Sequence, residues 1–228
     1  MPRERDQILR DAARYFTRDG IRTVGLQDVA DALRISRSTL YYHFTEKSDL
    51  IAEILTTTLT DFTAKVTEIT AYPLSAGQRL TIIFRTVLRM QLDNPGVPLA
   101  LVLRDGGASL KPDQRHAIIT ARDTYEDLFR QLVTTGITTG EFRPVHTKIA
   151  VIGLLSMLEE FDAWYDPAGT LTTDDIADIY ADLFLTALAN DRPPGPHAQI
   201  AGARPATDPA EAASGQTPAR PATPIPPS

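Results

Sequence analysis

The chain has 228 residues, a formal charge of −6 at pH 7, no cysteine and four histidines. A chain this long can bury enough surface to fold without disulfide or metal staples, and the lack of cysteine fits a reducing, cytoplasmic setting. There is no basic-then-apolar leader and no apolar run of membrane-spanning length, and His43, His116, His146 and His197 are scattered, so neither a membrane, a metal nor a cofactor is expected.

In chain order, Ile8, Leu9, Ala12, Ala13 and Phe16 recur at helical spacing and predict a first helix ended by Gly20, with Arg3, Arg5, Arg10, Arg14 and Arg18 on its remaining surface. Leu26, Val29, Ala30 and Leu33 predict a short second helix, Gln27 to Leu33, capped by Gly25. Arg34 and Ile35 then make a turn. Ser36 is placed to cap a third helix, its hydroxyl accepting from a backbone N–H two or three residues on. On that helix Leu40 and Phe44 point to the core, which leaves Arg37, Ser38, Thr39, Tyr41, Tyr42 and His43 facing outward. Ile8, Ala12, Phe16, Ile21, Val29, Leu33, Leu40 and Phe44 can close a small three-helix core. Two short helices joined by a tight turn, the second polar, basic and aromatic on its outer side, form a helix-turn-helix suited to the DNA major groove. By itself the run Tyr41 to Phe44 fits core packing equally well. It is because Leu40 and Phe44 already supply the buried face that Tyr41, Tyr42 and His43 are left for another role.

Beyond Leu50 the pattern stays helical. One helix is predicted from Lys47 to Thr70, stopped by Pro73, and another from Ser75 to Asp93, broken by Asn94-Pro95-Gly96. A short one follows Pro98, Leu99 to Arg104, and Pro112 opens a long one that ends between Gly136 and Gly140. An apolar helix, Ile149 to Tyr165, precedes a last one running to Asn190, for which Thr172 and Asp175 resemble a capping box. Both of these carry more apolar surface than one chain easily covers. Residues 192–228 hold ten of the seventeen prolines and few large apolar residues, a composition expected of a disordered, extended tail.

The segment from Gln7 to Ile54 resembles the N-terminal domain of the TetR family of bacterial transcriptional regulators. The match is carried by Val29-Ala30, Ser36, Leu40-Tyr41-Tyr42-His43-Phe44 and Lys47-Ser48-Asp49-Leu50, all in register. The resemblance implies that Arg37, Ser38, Thr39 and Tyr41 face base edges or the adjoining backbone, and that Tyr42, His43 and Lys47 grip phosphates. The side-chain chemistry agrees: an arginine offers two donors to a guanine edge, tyrosine rings can touch thymine methyls, and a lysine is a point charge suited to phosphate. Two positions depart from the family pattern. Gly25 lacks the usual capping hydroxyl, and Arg34 stands where glycine is common, which calls for a non-glycine residue at positive φ.

The fold expected is therefore all-α, about nine helices, with residues 1–48 as a helix-turn-helix DNA-binding domain, 49–191 as a helical effector-binding and dimerisation domain, and 192–228 as the tail. The resemblance implies a homodimer that reads a palindromic operator in double-stranded DNA and is released by a small hydrophobic effector. Candidate effector contacts are Phe62, Phe84, Leu88, Leu103, Tyr125 and Phe129, with Arg85, Arg89, Arg104 or Arg122 available to anchor an acidic group, although each apolar member serves equally as ordinary core. The stretch Trp164 to Gly169 with Leu171 is similar to a branch of the family seen among actinobacterial regulators of lipid or steroid breakdown, which implies an acyl-thioester or steroid-type effector. Charge distribution supports a DNA-facing N-terminus: residues 1–48 carry nine Lys/Arg against seven Asp/Glu, and the rest fourteen against twenty-two. The alternative is an α-helical ligand-binding protein or enzyme for a hydrophobic substrate with little DNA binding. No phosphate loop, cysteine nucleophile or paired His and carboxylate spacing supports an enzyme. An activator, or a paralogue weakened at Gly25, stays open.

Overall fold

The computed structural model describes residues 5–93 and 110–190, apart from the side chains of Asp162 and Ala163. The predicted helix at Leu99 to Arg104 and the tail lie outside the described residues.

All regular structure among these residues is helical. The first three helices, α1 (Arg5–Asp19), α2 (Leu26–Ala32) and α3 (Arg37–His43), form a small unit whose predicted core residues are all buried, Ile8, Ala12, Val29 and Leu40 completely. α4 (Lys47–Thr70) begins in this unit, where Leu50, Ile51 and Ile54 pack beneath α1, and then leaves it to run along the rest of the chain. Its bounds coincide with those read from the sequence, since an apolar stripe meets Pro73 only one turn after the helix ends.

α5 (Ala76–Asp93) and α6 (Pro112–Thr138) pack on α4, and α9 (Thr173–Leu188) covers the other side of α5. Two contacts show that α4 and α6 run parallel. Asp49 meets Lys111 and Gln114 where the helices begin, and farther along both helices the Phe62 ring centroid lies 6.2 Å from that of Tyr125.

The apolar stretch expected as one helix from Ile149 to Tyr165 is two: α7 (Thr147–Glu159) and a single turn, α8 (Phe161–Trp164). Glu159 and Glu160 place two acids at the negative end of the α7 dipole, which opposes continuation. The break turns Phe161 wholly inward, where its ring stacks 4.7 Å from Tyr165. α9 starts with the expected reciprocal cap, the Asp175 N–H donating to Thr172 Oγ1 and the Thr172 N–H to Asp175 Oδ2.

The start of α5 is capped from a distance. Glu141, on the α6 to α7 connection, accepts from the Ser75 hydroxyl at 2.7 Å and from the backbone N–H groups of Ala76 and Gly77, each at 2.8 Å. A Cβ at Gly77 would stand 2.8 Å from the same carboxylate, so only glycine admits this approach without a shift. Burial pushes the Glu141 pKa up, but the donors from Ser75, Gly77 and Ala76 and the charge of Arg79 outweigh it, and the net displacement is downward. A carboxylate depressed in the folded state contributes stability above its unfolded pKa of about 4.3 and loses it as pH falls through the lower folded value. Glu141→Gln should therefore cost about 1–2 kcal/mol at pH 7 and progressively less below pH ~4.5. Urea titrations of both proteins at pH 7 and at pH 4 test this, and an equal difference at the two pH values would contradict it.

Candidate nucleic-acid interface

α2 ends in a turn that the backbone bonds tightly: the Arg34 N–H donates to Asp31 O at 3.1 Å and the Ile35 N–H to Ala30 O at 3.0 Å. Arg34 has φ of 53°, so the non-glycine residue in the left-handed region expected from the sequence is present. Ser36 then caps α3, accepting from the Thr39 N–H at 3.0 Å, and its hydroxyl lies 2.9 Å from that of Ser38 and 2.7 Å from that of Thr39. Three hydroxyls thus cluster at the outer start of α3. At Gly25 no side chain caps α2, but Asp28 reaches back to accept the Gly25 N–H at 2.7 Å.

Leu40 and Phe44 fix α3 on the core, and the opposite face stands clear. Arg37 and Ser38 are exposed, Thr39 is half-buried, and Tyr42 is 85% exposed. The Arg37 guanidinium lies over the Tyr41 ring, 5.0 Å from its centroid, which holds the cation on the outer face. His43 is half-buried between the rings of Tyr42 and Phe44, at 5.1 and 6.2 Å. Apart from this edge contact with His43, the Tyr42 ring is left to solvent among the described residues. Arg34, read from the sequence only as a turn residue, adds an exposed cation immediately before α3. Its signal was its position, since a charged residue in a tight turn must project outward.

Lys47 differs from a free phosphate anchor. Its ammonium sits 5.9 Å from the centroid of Phe16, and burial lowers its pKa against the opposing pull of Asp28. The arginines of α1 are also less available than their spacing suggests. Arg5 forms a bidentate pair with Glu53 at 2.5 and 2.6 Å and lies over Phe44; Arg14 donates to the Asp93 carbonyl; Arg10 donates to Gln7; and Arg18 pairs with Asp19. Arg5 and Arg14 thus tie α1 to α4 and α5, Arg10 and Arg18 are engaged within α1 itself, and the outer face of α3 carries the open donors.

The candidate effector residues fall into two groups. Phe62, Tyr125 and Phe129 meet between α4 and α6, with Tyr125 5.0 Å from Phe129, and burial raises the Tyr125 pKa. Phe84 is not with them: it packs against Tyr180 and Phe184 of α9, at 6.3 and 6.1 Å. Leu88 is fully buried on α5, and Leu103, like Arg104, lies outside the described residues. The arginines expected to anchor an acidic ligand are engaged instead. Arg85 is bidentate with Asp178, Arg89 with Asp174, and Arg122 pairs with Glu159. No helix among the described residues is long and apolar enough to cross a membrane, and none of their His, Asp and Glu side chains group as a metal site.

Comparison with known proteins agrees with this geometry. Residues 8–54 match the model of bacterial regulatory proteins of the tetR family, and residues 73–188 match that of the tetracyclin repressor-like C-terminal domain. The HTH-type transcriptional repressor KstR2 of Rhodococcus jostii is 28% identical over 188 residues, covering 82% of this chain and 91% of that protein. Among solved structures, the TetR family transcriptional regulator PfmR from Thermus thermophilus superposes with a TM-score of 0.70 at 30% identity, covering 79% of this chain and 98% of PfmR. AibR, in complex with isovaleryl coenzyme A and operator DNA, shares the fold with a TM-score of 0.68 at 23% identity, covering 78% of this chain and 96% of AibR. With a buried three-helix core presenting α3 outward, and two family models spanning most of its length, the chain belongs to the TetR family of DNA-binding bacterial transcriptional regulators.

Proposed function

We propose that the protein is a homodimeric repressor that holds a palindromic operator through α3 and releases it when a small hydrophobic effector binds among α4, α5 and α6. The observation that carries the DNA part is the outer face of α3: Arg37 stacked on Tyr41, the three hydroxyls at its start, and Tyr42 standing almost free in solvent. Arg37, Ser38, Thr39 and Tyr41 supply base or adjoining contacts, and Tyr42, His43 and Lys47 hold phosphates, Lys47 after its side chain swings off Phe16. Residues 1–48 act as the reading head, 49–191 as the effector and dimerisation unit, and 192–228 as an appended tail.

For the effector, the support is the apolar wall of Phe62, Tyr125 and Phe129 between α4 and α6, together with the repressor KstR2 as a relative and the complex of AibR with isovaleryl coenzyme A as a protein of the same fold. An acyl thioester fits such a wall through its acyl chain. Since Arg85, Arg89 and Arg122 are committed to carboxylates, an acidic part of the effector takes its partner elsewhere or displaces one of these pairs. To release the operator, the effector must bind the DNA-incompetent arrangement better than the competent one. Selection of genomic fragments by the purified protein, followed by displacement of the recovered fragment with a panel of acyl and steroid thioesters, tests the whole reading. Recovery of no preferred fragment would overturn the operator, and failure of every thioester to displace it would overturn the effector class.

A further inference from the structure

The beginnings of α4 and α6 are locked to each other through their own caps. Asp49 occupies the third position of α4 and accepts the Glu46 N–H through Oδ2 at 3.0 Å; Gln114 holds the same place in α6 and accepts the Lys111 N–H through Oε1 at 3.0 Å. The two capping side chains then join. Gln114 Nε2 donates to Asp49 Oδ1 at 2.8 Å, Lys111 Nζ donates to the same oxygen at 2.9 Å, and Lys111 Nζ lies 3.2 Å from Glu46 Oε2. One carboxylate thereby serves three donors from two helices, and chiefly the Lys111 ammonium depresses its pKa.

An exposed ion pair by itself contributes little. This one differs in what it connects. The reading head is fastened to the start of α4 by its shared core and by the bidentate Arg5–Glu53 pair. α6 belongs to the effector unit, and its Tyr125 meets Phe62 thirteen residues beyond Asp49, about 20 Å along the α4 axis. The lock therefore stands at the head end of a parallel helix pair whose far end holds the candidate effector wall. Arg14 adds a second tie from the head, donating to the carbonyl of Asp93 at the end of α5.

We infer that Asp49, Lys111 and Gln114 are positioning residues: their joined caps fix the angle of the reading head relative to the effector unit, and opening them frees the head to adopt other separations. The inference rests on the proposed function for its consequence on DNA, but the lock itself is measurable without DNA. The chain has no cysteine, so spin labels can be placed uniquely at Arg22→Cys in the head and Gln131→Cys in α6, with excess unlabelled protein added to leave one labelled pair per assembly. The expected result is a narrow distance distribution that broadens about twofold in Lys111→Met and in Asp49→Asn, which keeps a cap acceptor, and narrows again in Lys111→Arg. An unchanged width in both Lys111→Met and Asp49→Asn, with helicity intact, would overturn the lock.

On the fragment selected by the unlabelled wild type, Lys111→Met should also lose about tenfold of the preference for the native half-site spacing over a spacing altered by one base pair. A role in stability alone would lower the melting temperature and leave that preference untouched, which would overturn the positioning role. If the wild type selected no fragment at all, the operator reading would fall while the distance distributions still decided the lock.

Discussion

Arg37→Ala is expected to lower operator affinity by about 2–6 kcal/mol, because a bidentate base contact carries about 1–3 kcal/mol and the substitution acts at both half-sites of a palindrome. The side chain is exposed and makes no ion pair among the described residues, so folding stability should change by less than about 0.5 kcal/mol. Truncation also removes the cation from the Tyr41 ring, leaving that ring free to rotate and lose its own contact. Lysine cannot restore the function, since it lacks the planar fork that both stacks and donates in pairs, and Arg37→Lys should recover only a minor part of the loss. Tyr42→Ala provides the contrast. A phosphate contact carries no sequence information, so affinity should fall to a similar extent on the operator and on its single-base variants, whereas Arg37→Ala should flatten the difference among them at one position. Fluorescence anisotropy on the operator and a set of single-base variants separates the two patterns. Unchanged affinity and unchanged base preference in both variants would remove α3 from the interface.

What could be read from the sequence was what local periodicity encodes. The apolar stripes of the three-helix core, the cap at Ser36 and the bounds of α4 follow from local spacing, the positive φ at Arg34 follows from the resemblance to a family in which glycine is common there, and the structure has each of them. Most of the departures come from partners distant in sequence. Arg85 and Arg89 look like free cations until Asp178 and Asp174 arrive across eighty-five or more residues, and Phe84 looks like a neighbour of Phe129 until α9 claims it. Lys47 shows the same dependence on distance: its spacing places it beside the reading face, and the fold sets its ammonium 5.9 Å from the ring centroid of the buried Phe16, thirty-one residues earlier. The break at Glu160 was local and could have been anticipated from two acids at a helix end.

Ile152→Asp combined with Leu183→Asp is expected to convert the protein to a monomer and to reduce operator affinity by about 10²–10⁴-fold, the advantage that linking two half-site readers confers. In the single chain, Ile149, Ile152, Ile179 and Leu183 are 62%, 45%, 46% and 57% exposed, large aliphatic side chains on the outer sides of α7 and α9 that the described residues leave uncovered. Gly153 stands among them in mid-helix, where glycine costs about 1 kcal/mol relative to alanine. Among the described residues nothing lies within 4 Å of the position its Cβ would take, so no contact among them requires glycine there. A second copy laid across α7 and α9 accounts for both observations: it buries the aliphatic groups and uses the missing side chain for close approach. Two aspartates per chain on such a face would bring four carboxylates into it, and each would have to be desolvated without a partner. The same substitutions leave the isolated chain's core untouched, so helicity should be retained. The single tryptophan gives an independent reading, since Trp164 is 52% exposed and its ring packs 6.3 Å from that of Tyr180 on α9. Its emission should lie further to the red in the monomeric variant than in the wild type if the partner covers this edge. Light scattering of the wild type at the monomer mass at micromolar concentration would refute the dimer, and with it the requirement for a palindrome.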